Sequence, residues 1–383
     1  MMDSVQRGRP VHCDVAIVGA GISGLACAAA LSANGIPAII FEARDNVGGR
    51  LRTYRPPDGG PVLELGAQVI HGDRNPLRDP AALGLPAESL RSQLVPRDAA
   101  ARAILHGRIV PLGVLATGGV PPWAVEQRLA ADGGGRADGQ AGGEAGGGAG
   151  FDDHSDAPVA AWLAAQRISG DQLLAAAEWF RQNWAAGPRA LSAHGVAAAR
   201  RGDRTGDGEY AFGRGYWSLA GALAATLDIR LREPVRALAW TPGQVELTTG
   251  DGARATARAV VITAPPPVIA GGRLAITPLP ERKAAAARAL PVGDGLCAVA
   301  VLPQAAPESA VVFDADGQGG FVRCTAGRPE VLIVAKARAA AAVRAASLAA
   351  LNAADAGSTS SPPSCAMFVT GGACTGVSMS FGN

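Results

Sequence analysis

The sequence predicts an α/β protein in which a Rossmann-like domain, built on a parallel sheet, is divided along the chain by an inserted α+β domain. The first observation is a strand, a glycine-rich turn, a helix and a second strand between residues 14 and 42. The second is an apolar run at residues 259–265 with the composition of another strand of the same sheet. The third is an alanine-rich helical pattern at residues 157–199, which lies between those two parts.

The first unit opens with an apolar strand at residues 15–18, which does not alternate with polar residues and ends at a glycine. The glycines that follow have GxGxxG spacing. The first makes the turn, the second lets the backbone approach a pyrophosphate, and the third lets the helix pack on its strand. The positive N-terminal end of the helix then faces the phosphates. We therefore predict cofactor contacts from Gly19, Gly21, Ser23 and Gly24.

A second predicted strand at residues 37–41 places Glu42 at its carboxyl end, where an acid binds a ribose hydroxyl. An acid at this position disfavours a 2′-phosphate, so NADP is the least expected dinucleotide. A glycine-rich turn without a ligand would leave Glu42 unexplained. A signal peptide, suggested by Arg7 and Arg9 before the apolar run, is disfavoured by the glycines and by the second strand that follows at once.

Two further segments separate FAD from NAD: residues 42–53, EARDNVGGRLRT, and residues 63–72, LELGAQVIHG. Both resemble segments of the flavin-containing amine oxidases, the second being similar to the one that the polyamine oxidase branch lays beside the isoalloxazine ring. The resemblance implies FAD as the cofactor. It also implies cofactor contacts from Arg44, Gly48, Gly49, Arg50, Gly66, Ala67, Gln68 and Val69.

A third segment resembles the same family: residues 213–219, GRGYWSL, then a helix and residues 228–235, DIRLREPV. In the family a valine at this place contacts the adenine through its backbone, and Val235 takes that position. Alternating residues on either side of a Gly-Asp-Gly turn at residues 250–252 predict a hairpin. Its return strand ends in the apolar run at 259–265, which rejoins the cofactor sheet.

The resemblance implies an FAD-dependent enzyme that oxidises the CH–NH bond of a polyamine or monoamine to an imine, with oxygen as acceptor and hydrogen peroxide as product. His71 lies in the ring-side motif and is the candidate catalytic residue, although a hydrogen-bonded loop histidine is the alternative. Two other functions stay open. One is an L-amino-acid oxidase or another flavin desaturase of the same fold, and the other is a truncated, non-catalytic relative.

The chain departs from the family in two places. Family members carry a lysine near the flavin on a strand that corresponds to residues 293–302, where Cys297 is the nearest counterpart. The lysines of this chain are Lys283 and Lys336, and neither falls on that strand. Residues 367–374 resemble the last cofactor strand of the family, but Gly372 stands where a glutamate is expected. These departures bear on flavin reoxidation and on cofactor retention.

The predicted FAD-binding domain comprises residues 11–76 and 229–268, and the substrate domain comprises residues 77–228 and 269–350. Residues 132–150 form a flexible glycine-rich loop, and residues 351–383 form a degenerate C-terminal part. A strand pair is predicted within residues 101–115 and a helix N-cap at Ser192. The predicted core residues of the helical region are Val159, Trp162, Leu163, Leu173, Leu174, Trp179 and Phe180.

The net charge of +2 is small and the arginines are scattered, so we expect neither nucleic acid nor a membrane as a partner. The six cysteines show no CxxC pair and no metal-ligand spacing. We therefore expect no metal, no disulfide framework and a cytoplasmic location. The expected partners are a small-molecule amine and molecular oxygen.

Overall fold

The computed structural model describes residues 11–79, 90–92, 100–116, 124–132, 157–166, 168, 170–206, 209–290, 292–293, 295–315, 320–336, 339–345 and 367–371. The flexible loop predicted at 132–150 lies outside these residues except for Asp132, which ends a helix. Gly372, at the position of the expected glutamate, also lies outside them. No helix among the described residues is long and apolar enough to cross a membrane.

The strands of the described part are the following, in chain order: β1 (Val11–Val18), β2 (Ala38–Phe41), β3 (Thr53–Tyr54), β4 (Leu63–Glu64), β5 (Ile70–His71), β6 (Leu90–Ser92), β7 (Ala100–Leu105), β8 (Arg108–Pro111), β9 (Glu209–Phe212), β10 (Asp228–Arg230), β11 (Val235–Thr241), β12 (Gln244–Thr249), β13 (Arg254–Ile262), β14 (Ala275–Thr277), β15 (Gly295–Val301), β16 (Ala310–Asp314), β17 (Gly320–Cys324), β18 (Glu330–Lys336) and β19 (Met367–Gly371).

The α-helices of the described part are these: α1 (Ile22–Ala33), α2 (Val125–Asp132), α3 (Val159–Ala165), α4 (Gly170–Trp184), α5 (Ala193–Gly202), α6 (Trp217–Ala224), α7 (Pro266–Ala270) and α8 (Glu281–Ala289). Residues 339–345 are also helical. Helix α5 begins as predicted, because Ser192 is its N-cap and the Ser192 hydroxyl accepts a hydrogen bond of 2.7 Å from the Gly195 N–H.

The chain divides into two compact units, of which the first comprises residues 1–94 and 208–292. Its main sheet has the order β10-β2-β1-β13-β12-β11-β14. Strands β10, β2, β1 and β13 are parallel, whereas β12 is antiparallel to both of its neighbours. The predicted hairpin is therefore β12 and β13, and its return strand pairs with β1, as the sequence indicated.

The central strands of this sheet are buried on both faces, which explains their unalternating apolar sequence. On one face Ala16 and Phe41 belong to a core cluster with Val235 and Leu247. On the other face Ile17 and Ile40 pack with residues of α1 and α6, namely Leu25, Ala28 and Ala220. The apolar run before the glycine turn thus anchors α1 to the sheet.

The observed boundaries differ from the predicted ones, because residues 77–94, 208–228 and 269–292 belong to the first unit. Strand β9 pairs with β5 and β6, and β14 extends the main sheet beside β11. Helix α6 packs against the same core cluster as α1. These pairings join elements far apart in the chain, so composition alone did not assign them.

The second unit comprises residues 95–207 and 293–383 and contains a sheet of order β19-β15-β18-β17-β16-β7-β8. Strands β7 and β8 form the strand pair predicted within 101–115, with positive φ at His106 and Gly107 in the turn. The resemblance of residues 367–374 to a cofactor strand is not matched by a place in the cofactor sheet for their described part, residues 367–371. Strand β19 pairs antiparallel with β15, whose edge it completes, and so belongs to the sheet of the second unit.

Helices α2 to α5 of the second unit enclose a core in which Val159, Trp162, Leu163 and Phe180 are almost fully buried, as predicted, with Trp179 packed against it. Leu173 and Leu174 were also predicted in this core and instead are 37% and 43% exposed. Both lie near the start of α4, which runs from Gly170 to Trp184.

Candidate cofactor site

The turn between β1 and α1 requires glycine at its first position. Gly19 has a φ of +106°, and its N–H donates to the Phe41 carbonyl oxygen at 2.8 Å. A Cβ atom there would lie 2.8 Å from the Thr263 hydroxyl oxygen. That hydroxyl donates to the Val18 carbonyl oxygen at 2.9 Å, so Thr263 ties the end of β13 to the turn.

Helix α1 presents an uncapped N-terminus directly after this turn. Its N-cap is Gly21, no side chain caps the helix, and its first turn carries no acidic residue. Ser23 lies exposed in that first turn. Gly24 is buried against the turn, since a Cβ atom on it would lie 2.0 Å from the Gly19 carbonyl oxygen. The first N–H groups of α1 and its dipole thus suit a phosphate group.

Glu42 is a buried carboxylate at the carboxyl end of β2, only 8% exposed. One oxygen accepts a hydrogen bond of 2.7 Å from the Ala20 N–H, and the other accepts one of 2.9 Å from the Arg44 N–H. These two bonds fix the carboxylate next to the glycine turn. A carboxylate offers about four acceptor positions, so capacity for a ribose hydroxyl remains.

The Gly-Gly-Arg segment lies against the glycine turn. Gly48 forms an isolated parallel bridge with Gly21, and its N–H donates to the Ala20 carbonyl oxygen at 2.8 Å. Gly49 has a φ of +61°, and a Cβ atom on it would lie 3.0 Å from the Gly21 Cα, so a larger residue would be strained here. Arg44 donates from Nη1 to the Gly49 carbonyl oxygen at 3.2 Å. The two fingerprints therefore form one backbone cradle.

The ring-side motif continues from this cradle. A Cβ atom on Gly66 would lie 1.8 Å from the Arg50 carbonyl oxygen, to which the Ala67 N–H donates at 3.2 Å. Arg50 and Ala67 are exposed, whereas Gln68 and Val69 are half-buried in the segment that leads to β5. Predicted residues about 16 positions apart thus meet at one place in the fold.

Val235, the residue predicted to lie at the adenine, is close in the fold to the end of β2 that carries Glu42. The Glu42 N–H donates to the Arg230 carbonyl oxygen at 2.8 Å, and the Glu233 N–H donates to the Glu42 carbonyl oxygen at 2.9 Å. Val235 follows two residues later and is 8% exposed at the start of β11. The chain from β10 to β11 therefore lines the carboxyl end of β2.

His71 lies exposed at the end of β5, where it pairs with Glu209 of β9. The Asn75 side-chain amide donates to the His71 carbonyl oxygen at 3.0 Å and so fixes the backbone of the following loop. His71 thus follows, along the chain, the residues that meet Arg50, and its role next to the cofactor stays a prediction.

Sequence reasoning missed a buried polar network behind the cradle. Glu64 is 6% exposed and accepts hydrogen bonds from the Thr53 hydroxyl at 2.9 Å and from the Tyr216 N–H at 2.9 Å. The Thr53 hydroxyl in turn accepts from the Trp217 N–H at 3.1 Å. These contacts attach the start of α6 to β3 and β4. A glutamate within an apolar motif was the available signal, because a buried carboxylate needs donors.

Lys336 lies on β18, the neighbour of the strand β15 where the family lysine was expected. It pairs with Gly295 and shares a sheet face with Cys297, whose cross-strand partner is Val334. Its ammonium group donates to the Gln182 carbonyl oxygen, and burial lowers the pKa of Lys336. Nearby, burial raises the pKa of the fully buried Glu178, which accepts hydrogen bonds from Gln182 and Arg181.

The parallel sheet, the glycine cradle and the carboxylate at the end of β2 define a dinucleotide-binding protein of the Rossmann type. The family model described as flavin containing amine oxidoreductase matches residues 22–342, and the chain belongs to this family. Its cofactor class is therefore a flavin, in agreement with the predicted FAD. The predicted family resemblance is confirmed.

Relatives and solved structures agree with this placement. The chain is 39% identical over 75 residues to probable polyamine oxidase 4 of Arabidopsis thaliana, which is 19% of this chain and 15% of that protein. It is 56% identical over 43 residues to amine oxidase [flavin-containing] B of Bos taurus, 11% of this chain and 8% of that protein. The matched stretches thus span a small part of these relatives.

A solved structure of a putrescine oxidase double mutant superposes with a TM-score of 0.66 at 22% identity, covering 87% of this chain and 78% of that chain. At this identity the likeness shows the fold. The predicted fold class, a Rossmann-like FAD domain with a substrate-binding domain, is confirmed.

Proposed function

We propose that this chain is an FAD-dependent amine oxidase. It oxidises the CH–NH bond of an amine to an imine, which water hydrolyses to an aldehyde or ketone. Molecular oxygen is the electron acceptor and hydrogen peroxide the second product. The observation that carries the proposal is the backbone cradle in which Gly21 bridges Gly48 beside the buried Glu42, in a chain of this family.

The residues of the cradle fit FAD. The first turn of α1 would hold the pyrophosphate, Glu42 would hold the ribose, and the segment around Val235 would hold the adenine. Arg50 and residues 66–69, of which Gly66 and Ala67 meet the Arg50 carbonyl oxygen, would line the flavin end. Bound there, FAD supplies the two-electron acceptor for the amine carbon.

His71 acts on the substrate side. An amine reacts only in its neutral form, because the nitrogen lone pair must be available when the neighbouring carbon is oxidised. Imidazole can act as the proton acceptor, and the transfer from a substrate ammonium group becomes affordable only where an apolar surrounding lowers the pKa of that ammonium group. The exposed position of His71 at the end of β5 leaves its ring within reach of a ligand.

The test is an absorption spectrum of the purified chain before and after addition of FAD. Flavin bands that persist through gel filtration, and that bleach when an amine is added without oxygen, are the expected result. Bleaching by L-amino acids but not by amines would instead establish an amino-acid oxidase. A colourless chain that does not retain FAD would overturn the proposal and leave a non-catalytic relative of the family.

A further inference from the structure

A tyrosine hydroxyl is buried next to the cradle without a hydrogen-bond partner. Tyr216 is the N-cap residue of α6 and is 2% exposed. Its hydroxyl oxygen forms no hydrogen bond with any residue that the structure describes. A buried polar group without a partner destabilises the folded chain, so native proteins rarely keep one that no ligand or water completes. The hydroxyl is therefore a candidate ligand contact.

The neighbours of Tyr216 belong to the flavin end of the cradle. Tyr216 forms a core cluster with Ile70, against which Ile22 and Leu51 pack. Ile22 is the first residue of α1, and Leu51 directly follows the Gly-Gly-Arg segment. Ile70 directly follows residues 66–69, the ring-side segment. Three separate parts of the cradle thus meet at the cluster that contains this tyrosine.

The adenine end of the cradle belongs to a different part of the core. Val235 packs in the cluster that contains Ala16 and Phe41, on one face of the main sheet. This cluster and the cluster of Tyr216 have no described residue in common. The Tyr216 hydroxyl is therefore associated with the flavin end and not with the adenine end.

The Tyr216 side chain is held in place as a neutral donor. The Tyr216 N–H donates to the Glu64 carboxylate at 2.9 Å, and its ring meets the Phe212 ring edge to face with the centroids 5.3 Å apart. Burial raises the pKa of Tyr216, and the charge of Glu64 raises it further. The group thus keeps its proton at neutral pH, and a fixed O–H donor suits an oxygen or nitrogen acceptor of a bound molecule.

We propose that the Tyr216 hydroxyl donates a hydrogen bond to an acceptor on the flavin half of FAD, which comprises the isoalloxazine ring, the ribitol chain and the adjoining phosphate. The inference rests on the proposed function, because that function supplies FAD. It deepens that function by adding a cofactor-binding residue on α6. Binding of FAD then satisfies a polar group that destabilises the chain without its cofactor.

The test uses Tyr216→Phe, which removes the hydroxyl and keeps the ring. We expect two effects of opposite sign. Without FAD the variant no longer buries an unsatisfied group, so its urea midpoint should rise by about 0.3 M. The dissociation constant of FAD, measured by fluorescence titration, should rise about tenfold because a hydrogen bond is lost. ADP carries only the adenine half, so it should bind the variant and the unmodified chain equally in a calorimetric titration.

The matched control is Tyr210→Phe. Tyr210 packs against the same cluster, but its hydroxyl donates to the Asp73 carboxylate, so this variant should neither raise the urea midpoint nor weaken FAD binding. A lower midpoint of Tyr216→Phe without FAD would show that the hydroxyl has a partner within the folded chain and would overturn the proposal.

An unchanged dissociation constant of FAD in Tyr216→Phe would also overturn it, as would an equal loss of ADP binding. Failure of the proposed function gives a different result. If the unmodified chain binds FAD but oxidises no amine, only the proposed function is contradicted. If it binds no FAD, both are contradicted.

Discussion

Gly24 packs directly against the carbonyl oxygen of Gly19, since a Cβ atom on Gly24 would lie 2.0 Å from that oxygen. Gly19 and Gly24 both belong to backbone that the main sheet and α1 hold in place. Moving either residue to relieve a clash would therefore disrupt the packing of α1 on the sheet. The contact fixes the distance between the turn and the first turn of α1. It thereby fixes the position of the N–H groups that face the phosphates.

The first prediction concerns this contact. Gly24→Ala should displace α1 from β1, lower the free energy of unfolding by about 2–4 kcal/mol and abolish FAD retention. Urea unfolding and gel filtration with FAD measure the two effects. Gly202→Ala is the control, because a Cβ atom on Gly202 meets nothing within 4 Å, and it should change stability by less than about 0.5 kcal/mol. If Gly24→Ala and Gly202→Ala lost the same stability and retained FAD equally, the close contact of Gly24 with Gly19 would not be what positions the phosphate-binding N–H groups.

The second prediction concerns the ribose position. Glu42→Gln replaces one of the two acceptor oxygens by an amide that points donors at the Ala20 or Arg44 N–H. We expect FAD to bind about tenfold or more weakly, which corresponds to about 1.4 kcal/mol or more. Glu246→Gln, an exposed change on β12, is the control and should leave the dissociation constant unchanged. Fluorescence titration of FAD decides between the outcomes.

The third prediction separates catalysis from cofactor binding. His71→Gln should leave the FAD dissociation constant within about twofold, since His71 lies beyond the cradle. The rate constant of anaerobic flavin reduction should fall about 10²- to 10⁴-fold at neutral pH, as for loss of a proton acceptor. The deficit should shrink at high pH, where free amine is abundant. A deficit that is constant with pH would assign His71 a structural role.

The fourth prediction concerns the buried Glu178, whose pKa is raised above its ordinary value of 4.5 by burial. The folded chain then binds this proton more tightly than the unfolded chain, so the stability from protonation is lost as pH rises through the folded pKa. Glu178→Gln lacks this titration. Relative to the unmodified chain, the variant should gain stability as pH rises above 4.5 and through the raised pKa of Glu178.

The measurement is urea unfolding of both chains at several pH values, with Glu246→Gln as an exposed control that should follow the unmodified chain. A stability difference that does not change with pH would show that Glu178 titrates normally. A difference that changes in the opposite direction would show that its hydrogen bonds with Arg181 and Gln182 outweigh burial.

The sequence predicted those parts of the fold whose evidence is local. Gly19, Gly24 and Glu42 follow from one strand–helix–strand unit, and Ser192 follows from the chemistry of a helix start. The hairpin of β12 and β13 follows from alternation around a turn. Each of these features depends on residues that belong to the same secondary-structure element or to neighbouring elements along the chain.

The parts that were missed depend on pairing over long distances in the chain. Glu64 meets the Tyr216 N–H across 152 positions, and Lys336 reaches the sheet face of Cys297 through the pairing of β18 with β15. Strand β19 pairs with β15 and not with the cofactor sheet, although its sequence resembled a cofactor strand. An apolar strand can join either of the two sheets, so the composition of β19 does not decide which strand it pairs with.

The pairing of β1 with β13 joins Val11 to Ala255 and thus sets the order in which the molecule can be completed. A ribosome adds roughly 5–20 residues per second, so on the order of ten to fifty seconds separate the synthesis of the two strands. Throughout that interval β1 has an open edge. Thr263, whose hydroxyl ties the end of β13 to the glycine turn, is also made late, so a nascent chain must extend more than two hundred residues past that turn before this support forms.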